Sequence, residues 1–458
     1  MTNNMSQSAL QTAAKPTQVA VIGGGAAGYF GAIAAAGNPF ARVTLYEAGS
    51  QPLAKVRISG GGRCNVTHHC FDPAQLIASY PRGGKALRGA FSRFQPQDTV
   101  DWYARRGVRL KTEADGRMFP VTDNSETIVS CLTRAAQEAG VTVKTRSPVT
   151  HIEKVTAEKV TAEKVAHATS EAEMLPEFNI HFRNGGSVRC DRLLITTGSS
   201  PIGHRIARSL GHTIEPPVPS LFTLNVADKR LHQLSGVAVD SANTRLKAVP
   251  TDVPASKAEQ RQLKSLVQTG PLLITHWGFS GPAVLKLSAW GARWLHGQKY
   301  RATLVVNWLP DCSQAQVRSQ LMQAKSEGSK RAVSRYSPFE PLSKRLWQYL
   351  LTRAELDDAL TWANLSKKQM NRLVQEITQG HYAVAGKGIF KEEFVTCGGV
   401  RLKEVNFKTM ESRLCPGLYF AGEVLDIDGI TGGFNFQSAW TTSWLAGNAI
   451  AREAAAPG

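Results

Sequence analysis

The residues best placed to do chemistry gather around glycines. Gly23-x-Gly25-x-x-Gly28, with Ala26 and Ala27 between its last two glycines, is followed by Glu47. In this spacing the first glycine permits a tight turn, the second lets backbone approach a pyrophosphate, and the third lets a helix pack closely on a strand. A helix starting here points free N–H groups and a positive dipole end at phosphates, while Glu47 can accept hydrogen bonds from ribose hydroxyls. The motif follows a β-branched run, Gln18 to Ile22, and precedes small residues up to Ala36; a second apolar run, Arg42 to Tyr46, ends in Glu47. That order is β-α-β with its acid at the expected distance, and a dinucleotide is the expected ligand.

Two further segments extend the pattern. Lys55-Val-Arg57-Ile-Ser59-Gly60-Gly61-Gly62-Arg63-Cys64-Asn65 places donors beside three consecutive glycines, which reach backbone conformations closed to other residues. These donors suit phosphate or the edge of an isoalloxazine. Near the other end, Gly422-Glu423 follows the apolar run Leu418 to Ala421, and Asp426, Gly432, Gly433, Phe434 and Asn435 lead into a long helical pattern. In flavoproteins such an acid binds the ribityl or phosphate region. The helix N-terminus there faces the flavin edge that gathers negative charge on reduction. Between these segments, Asp191 to Thr197 reads as a strand closing on Gly198.

Three residues are candidates for the reaction itself. His276, in Thr275-His276-Trp277-Gly278-Phe279-Ser280-Gly281-Pro282, can act as an acid, a base or a substrate-orienting donor, or can pack a domain junction. Cys64 can donate a proton near flavin N5, or serve as a small packing residue. Arg117 follows Asp115-Gly116 and either lines the substrate side or pairs with an acid. The seven cysteines are irregularly spaced with no CxxC, so neither a disulfide framework nor a zinc site is expected, and a reducing, cytoplasmic setting fits.

The elements that must position these groups read as an interrupted α/β chain. Residues 49 to 65 read as a loop, 85 to 106 as helix broken at Pro96, and Asp123 to Ala139 as a helix ended by Gly140. After Pro216, Pro217 and Pro219 the pattern turns to short β-like runs up to about residue 310. Helices are expected at Gln314 to Ala324, Pro341 to Arg353 and Lys367 to Thr378. The expected organisation is a polar tail (1–15), a first part of the cofactor domain (16–211), a β-rich insertion (212–310), a helical insertion (311–380) and a returning second part (381–458). TAEKV occurs twice in tandem, at 156–160 and 161–165, as a short insertion rather than a solenoid. The most apolar stretch, Val19 to Ala36, is interrupted by glycines and falls short of the ~20 residues of a span, so no membrane or export role is expected.

The 458 residues carry 54 Lys and Arg against 36 Asp and Glu, a formal charge of +18. Such an excess attracts polyanions. Arg82 to Lys111 is strongly basic and interleaved with Phe91, Phe94, Trp102 and Tyr103, and residues 325 to 345 form a second basic stretch. Basic residues with aromatics suit RNA, although aromatics at helical spacing also suit a core. With no second GxGxxG unit, a dedicated NAD(P)H domain is not expected. NAD(P)H would dock transiently as electron donor, or oxygen would be the oxidant.

Taken together, the motifs resemble one family. Ser59-Gly-Gly-Gly-Arg-Cys-Asn65, Gly116-Arg117-Met-Phe-Pro120, Thr275-His-Trp-Gly-Phe-Ser-Gly-Pro-Ala283, Gly398-Gly399-Val400, and Ala421-Gly-Glu-Val-Leu-Asp426 through Asn435-Phe-Gln437 are similar to the aminoacetone oxidase-like flavoproteins, from about Gln18 to Ala451. His68 departs from the family's common Asn, and Thr196 to Pro201 is shorter than usual. The resemblance implies an FAD-dependent oxidoreductase whose Rossmann-like domain is built from both chain ends, with inserted β-barrel-like and helical domains and no metal. Members have been associated with reducing uridine in ribosomal RNA, which makes RNA an expected substrate. The alternatives are a small-amine oxidase using oxygen and a non-catalytic protein that binds FAD and RNA.

Overall fold

The computed structural model describes residues 16–155, 177–249, 256–388 and 395–454. The polar tail and the tandem TAEKV copies lie outside them. The chain divides into two compact units, the first made of Met1–Pro216, Gly398–Ile427 and Gly432–Gly458, the second of Pro217–Cys397 and Asp428–Thr431.

The first unit is built on a sheet whose centre is parallel. Strand β1 (Thr17–Ile22) pairs with β2 (Ala41–Tyr46) on one side and with Arg192–Ile195 on the other; Leu418–Phe420 extends the sheet beyond the latter. The register puts Tyr46, Ile22, Ile195 and Phe420 in one row, so four carboxyl ends finish level. Val19 to Ile22 are all buried, as a parallel strand covered on both faces requires. Helix α1 (Ala26–Ala35) and the terminal helix Phe434–Ala454 pack against each other. Both chain ends therefore enter one α/β layer, as expected.

The second unit contains a closed six-stranded barrel, in the order Leu224–Val226, Gly278–Ser280, Val267–Ile274, Ala238–Lys247, Ala302–Asn307 and Gly380–Lys387. Burial alternates along Gly380–Lys387, with Tyr382 and Val384 inward and His381 and Ala383 outward. Helices Gln314–Glu327, Lys344–Arg353 and Lys367–Gln379 fall between the last two barrel strands in sequence, and they share one hydrophobic core with the barrel around Trp308, Trp347 and Trp362.

Some local expectations are corrected. Residues 49–65 are not all loop: α2 (Ala54–Gly62) begins helically, anchored by buried Leu53 and Val56, and breaks at Ser59, Gly60 and Gly61. One turn of helix is too short to register as a period, and the glycines mask it. The helix expected over 85–106 is divided just before Pro96, as expected, into Gly84–Phe91 and Pro96–Ala104; Pro96 starts the second because its missing N–H is an orphan at that position anyway. Of the two roles open to Phe91, Phe94, Trp102 and Tyr103, burial gives them the core. The boundary expected at the three prolines coincides with the division between the two units, which falls between Pro216 and Pro217, although strand Ile214–Ser220 runs through them. All seven cysteines are free thiols, and no helix among the described residues is long and apolar enough to cross a membrane.

Candidate active site

The first glycine motif sits where the four strands end. A Cβ on Gly28 would come within 1.9 Å of the Gly23 carbonyl oxygen, and one on Gly23 (φ +109) within 2.6 Å of the Thr196 carbonyl oxygen. These two glycines are there for packing. Gly25 is different: a Cβ there would meet nothing within 4 Å, so open space lies in front of the α1 N-terminus. That terminus has no side-chain cap and no acidic residue in its first turn. The first N–H groups of a helix lack intrahelical partners, so the end of α1 at Gly25, Ala26 and Ala27 can receive an anion. Glu47, at the end of β2, accepts from Gly24 N–H at 2.7 Å and Gly49 N–H at 2.7 Å through its two oxygens. The backbone thus presents its carboxylate beside the open space with lone pairs to spare.

The other two segments close on this motif from opposite ends of the sequence. Lys55 Nζ lies 2.8 Å from Glu423 Oε2, and a Cβ on Gly198 would lie 3.5 Å from the same oxygen. Lys55, Gly198 and Glu423 therefore share one corner. A Cβ on Gly422 would touch Ala27 Cβ at 2.8 Å. With its amide oriented to satisfy both neighbours, Asn65 donates to Thr67 O at 3.1 Å and accepts from Gly433 N–H at 3.0 Å. His68, the family departure, hydrogen-bonds to Gly432 O at 2.9 Å and stacks on Phe434 at 4.5 Å. Gly432, Gly433, Phe434 and Asn435 thereby bring a second helix N-terminus, with no acid in its first turn, against the Ser59–Asn65 loop. Asp426 accepts from Gly398 N–H at 3.0 Å.

Gly60 and Gly61 take left-handed φ values of +59 and +69, and Gly62 follows at +84. Ser59 Oγ donates to Val56 O at 2.9 Å, so it braces the turn. Arg63 lies over the Phe119 ring at 4.0 Å and donates to Glu113 at 2.6 Å; Arg117 reaches the other Glu113 oxygen at 3.0 Å and Asp115 at 2.7 Å. Glu113 escaped the sequence reading, because a lone glutamate gives no sign that two arginines will fold around it. Thr197 also differs from a simple donor: its buried Oγ1 has no hydrogen-bond partner and is aimed at the backbone of Gly203.

Of the three reaction candidates, Cys64 and Arg117 lie in the first unit and His276 in the second. Cys64 is fully buried with φ +60, and burial pushes its thiol up to about 12. Arg117 is half-exposed and held by two acids. His276 belongs to the second unit, on the exposed turn between strands Val267–Ile274 and Gly278–Ser280. His151, Glu153 and His181 form a further titratable cluster on an antiparallel hairpin, but the imidazoles stack face to face at 4.1 Å and 5°. Parallel planes at that spacing do not converge on one ion.

The donor set fits FAD: unsatisfied N–H groups for a pyrophosphate, a carboxylate for a ribose, and a second helix N-terminus, free of acids in its first turn, for an electron-rich ring. The family described as the HI0933-like protein Rossmann domain matches residues 17–449. The chain is 31% identical over 436 residues to the ribosomal RNA dihydrouridine synthase of Escherichia coli, covering 93% of this chain and 95% of that protein. It is 29% identical to the protein of the same name from Haemophilus influenzae, covering 94% and 98%. It is 28% identical to the 3-dehydro-bile acid delta(4,6)-reductase of Clostridium scindens, covering 95% and 99%. With both chain ends closed around one dinucleotide cradle, and a match along nearly the whole sequence, the chain belongs to the HI0933-like family of Rossmann-fold, FAD-dependent oxidoreductases.

Proposed function

We propose that the protein reduces a uracil base in ribosomal RNA, with NAD(P)H as a transient electron donor. The observation that carries this reading is the likeness to two ribosomal RNA dihydrouridine synthases along more than nine-tenths of each partner's length. The charge of +18 agrees with a bulky polyanionic substrate, since the two phosphates of FAD do not call for it.

In this reading the α1 N-terminus binds the pyrophosphate, Glu47 the ribose, and the Gly432–Asn435 turn the ring edge. When bound, FAD supplies hydride transfer. The C5=C6 bond of uracil is conjugated to a carbonyl, so hydride enters at C6 and a proton at C5. The chain has to hold the base, exclude water and supply that proton. His276 is the proposed donor, because it stands on an exposed turn with its imidazole accessible. Cys64 is assigned to packing and Arg117 to positioning, through Glu113 and Arg63.

A second reading, reduction of a conjugated ketone in a small polycyclic substrate, is favoured by the bile acid reductase relative. It uses the same chemistry, hydride to the β-carbon of an enone. None of the three relatives described is named for amine oxidation. The deciding experiment compares ribosomal RNA modification maps from cells with and without the protein, together with NAD(P)H oxidation by the purified protein with and without ribosomal RNA. A dihydrouridine site that disappears with the gene, and oxidation stimulated by RNA, are expected. Unchanged maps reject the RNA reading, and stimulation by an enone steroid instead supports the second.

A further inference from the structure

The second unit exposes a tryptophan beside unneutralised positive charge. Trp277 is 67% exposed, yet its backbone is tightly held. Thr275 N–H and Oγ1 both donate to Gly278 O, at 2.8 and 3.2 Å, and Trp277 N–H donates to Thr275 Oγ1 at 3.3 Å. Gly278 adopts φ +149, and a Cβ there would lie 2.3 Å from Leu224 O. The indole is thus presented to solvent from a turn that has little freedom left to lose on binding.

Trp277 O accepts from Val226 N–H at 2.9 Å. Val226 also lines an open cavity of about 620 Å³, whose wall includes Lys229, Arg230, Arg353 and His381. The acids near it are already occupied: Asp228 accepts from Tyr349 Oη at 2.7 Å and lies 3.7 Å from Arg353, while Glu376 accepts from Arg353 at 2.8 Å. Along the barrel wall, Arg245 pairs with Val305 and Val305 with His381, so Arg245 and His381 lie in one row, with Lys247 two residues on. Lys229, Arg230, Arg245 and Lys247 have no acidic partner among the described residues. The His381 imidazole is pushed below the usual range first by burial, then by Lys247, with Arg245 and Arg353 acting the same way against Glu376.

We infer that this face docks single-stranded RNA, with Trp277 stacking on an unpaired base and Lys229, Arg230, Arg245 and Lys247 taking the neighbouring phosphates. A flat ring flanked by point charges matches unstacked bases on a phosphate backbone. An anionic membrane can also take a lone indole at its interface, but it offers the ring no unpaired base to stack on, and the vesicle arm of the test separates the two. The inference rests on the reading of RNA as substrate and adds where the RNA is held.

The test uses the full-length protein, a single-stranded oligouridylate, ribosomal RNA and vesicles containing anionic phospholipid. W277A is expected to weaken oligouridylate binding about tenfold. K229E/R230E is expected to weaken it further and to lower the slope of log affinity against log salt by about 1.4. Both variants should keep the wild-type flavin absorbance and circular dichroism, because the altered side chains are exposed. If wild-type protein reduces ribosomal RNA but both variants do so with unchanged KM and salt slope, the docking face is wrong and the RNA reading stands. If the wild type neither binds nor reduces RNA, both fall. Binding to the vesicles in place of RNA, abolished by K229E/R230E, also overturns the inference.

Discussion

At the scale of single residues, the three glycines of the first motif separate packing from binding. Gly28→Ala would force a Cβ to within 1.9 Å of Gly23 O, so strand and helix must part; the protein should be strongly destabilised or insoluble. Gly25→Ala meets nothing within 4 Å of protein. Its apoprotein should unfold at a temperature close to wild type while FAD affinity falls at least tenfold, read by flavin fluorescence on titration. Equal stability losses in both variants would refute this division. Cys64 gives a second test. With its thiol buried and pushed up to about 12, almost none of the reactive thiolate exists at neutral pH. Mass spectrometry after iodoacetamide treatment at pH 8 should find Cys64 unmodified in the native protein and alkylated after denaturation, and Cys64→Ala should retain turnover. Loss of turnover with FAD still bound would restore Cys64 as proton donor.

At the scale of elements, the terminal helix is tied to the first third of the chain by a buried amide. Thr67 Oγ1 and Thr99 Oγ1 donate to Gln437 Oε1 at 2.6 and 2.9 Å, and Gln437 Nε2 donates to Thr441 Oγ1 at 3.0 Å. Gln437→Ala leaves two buried hydroxyls without their acceptor and opens a cavity, so a loss of about 2–4 kcal/mol is expected from urea denaturation. A loss under 0.5 kcal/mol would show that the hydroxyls find other partners. The helix Pro201–Ser209 and its exit carry a pH-sensitive pair. His204 and His212 are both pushed below 6.5, chiefly by burial. His212 is held between Ala207 O at 3.2 Å and Ser412 Oγ at 2.8 Å. Their folded values lie below the unfolded one, so the unfolded chain binds protons more readily and stability is lost as pH falls below about 6.5. Melting temperature should drop over that interval, and His212→Gln should make the drop shallower; a flat profile from pH 7 to pH 5 would contradict this.

At the scale of the whole molecule, the two ends of the chain complete one sheet. Leu418–Phe420 covers the edge of Arg192–Ile195, and Glu453 joins Arg192 at 2.8 Å to the Tyr419 hydroxyl at 2.6 Å. A chain truncated before Leu418 should lose FAD binding and aggregate, since it exposes a strand edge and the face of α1 that the terminal helix covers. Size-exclusion chromatography with flavin absorbance reads the outcome; a soluble, flavin-bound truncation would show that the amino-terminal part is self-sufficient.

The glycine spacing, the acid after β2 and the matching segment near residue 420 made the dinucleotide cradle legible, because a phosphate site needs small residues at set intervals along one stretch of chain. The helices expected at 314–324, 341–353 and 367–378 are found at Gln314–Glu327, Lys344–Arg353 and Lys367–Gln379. The short α2 was hidden by its length, and the barrel was expected only from the family resemblance, because strands of three to ten residues that pair across long gaps carry no local sign of closure. Composition could count the positive charges but not show which had lost their partners. Glu113 gathering two arginines, Gln437 gathering two threonines, and Trp277 held in solvent while Trp102 is buried all depend on neighbours far away in sequence. Local pattern records what a segment can form; only the folded chain decides what each side chain meets.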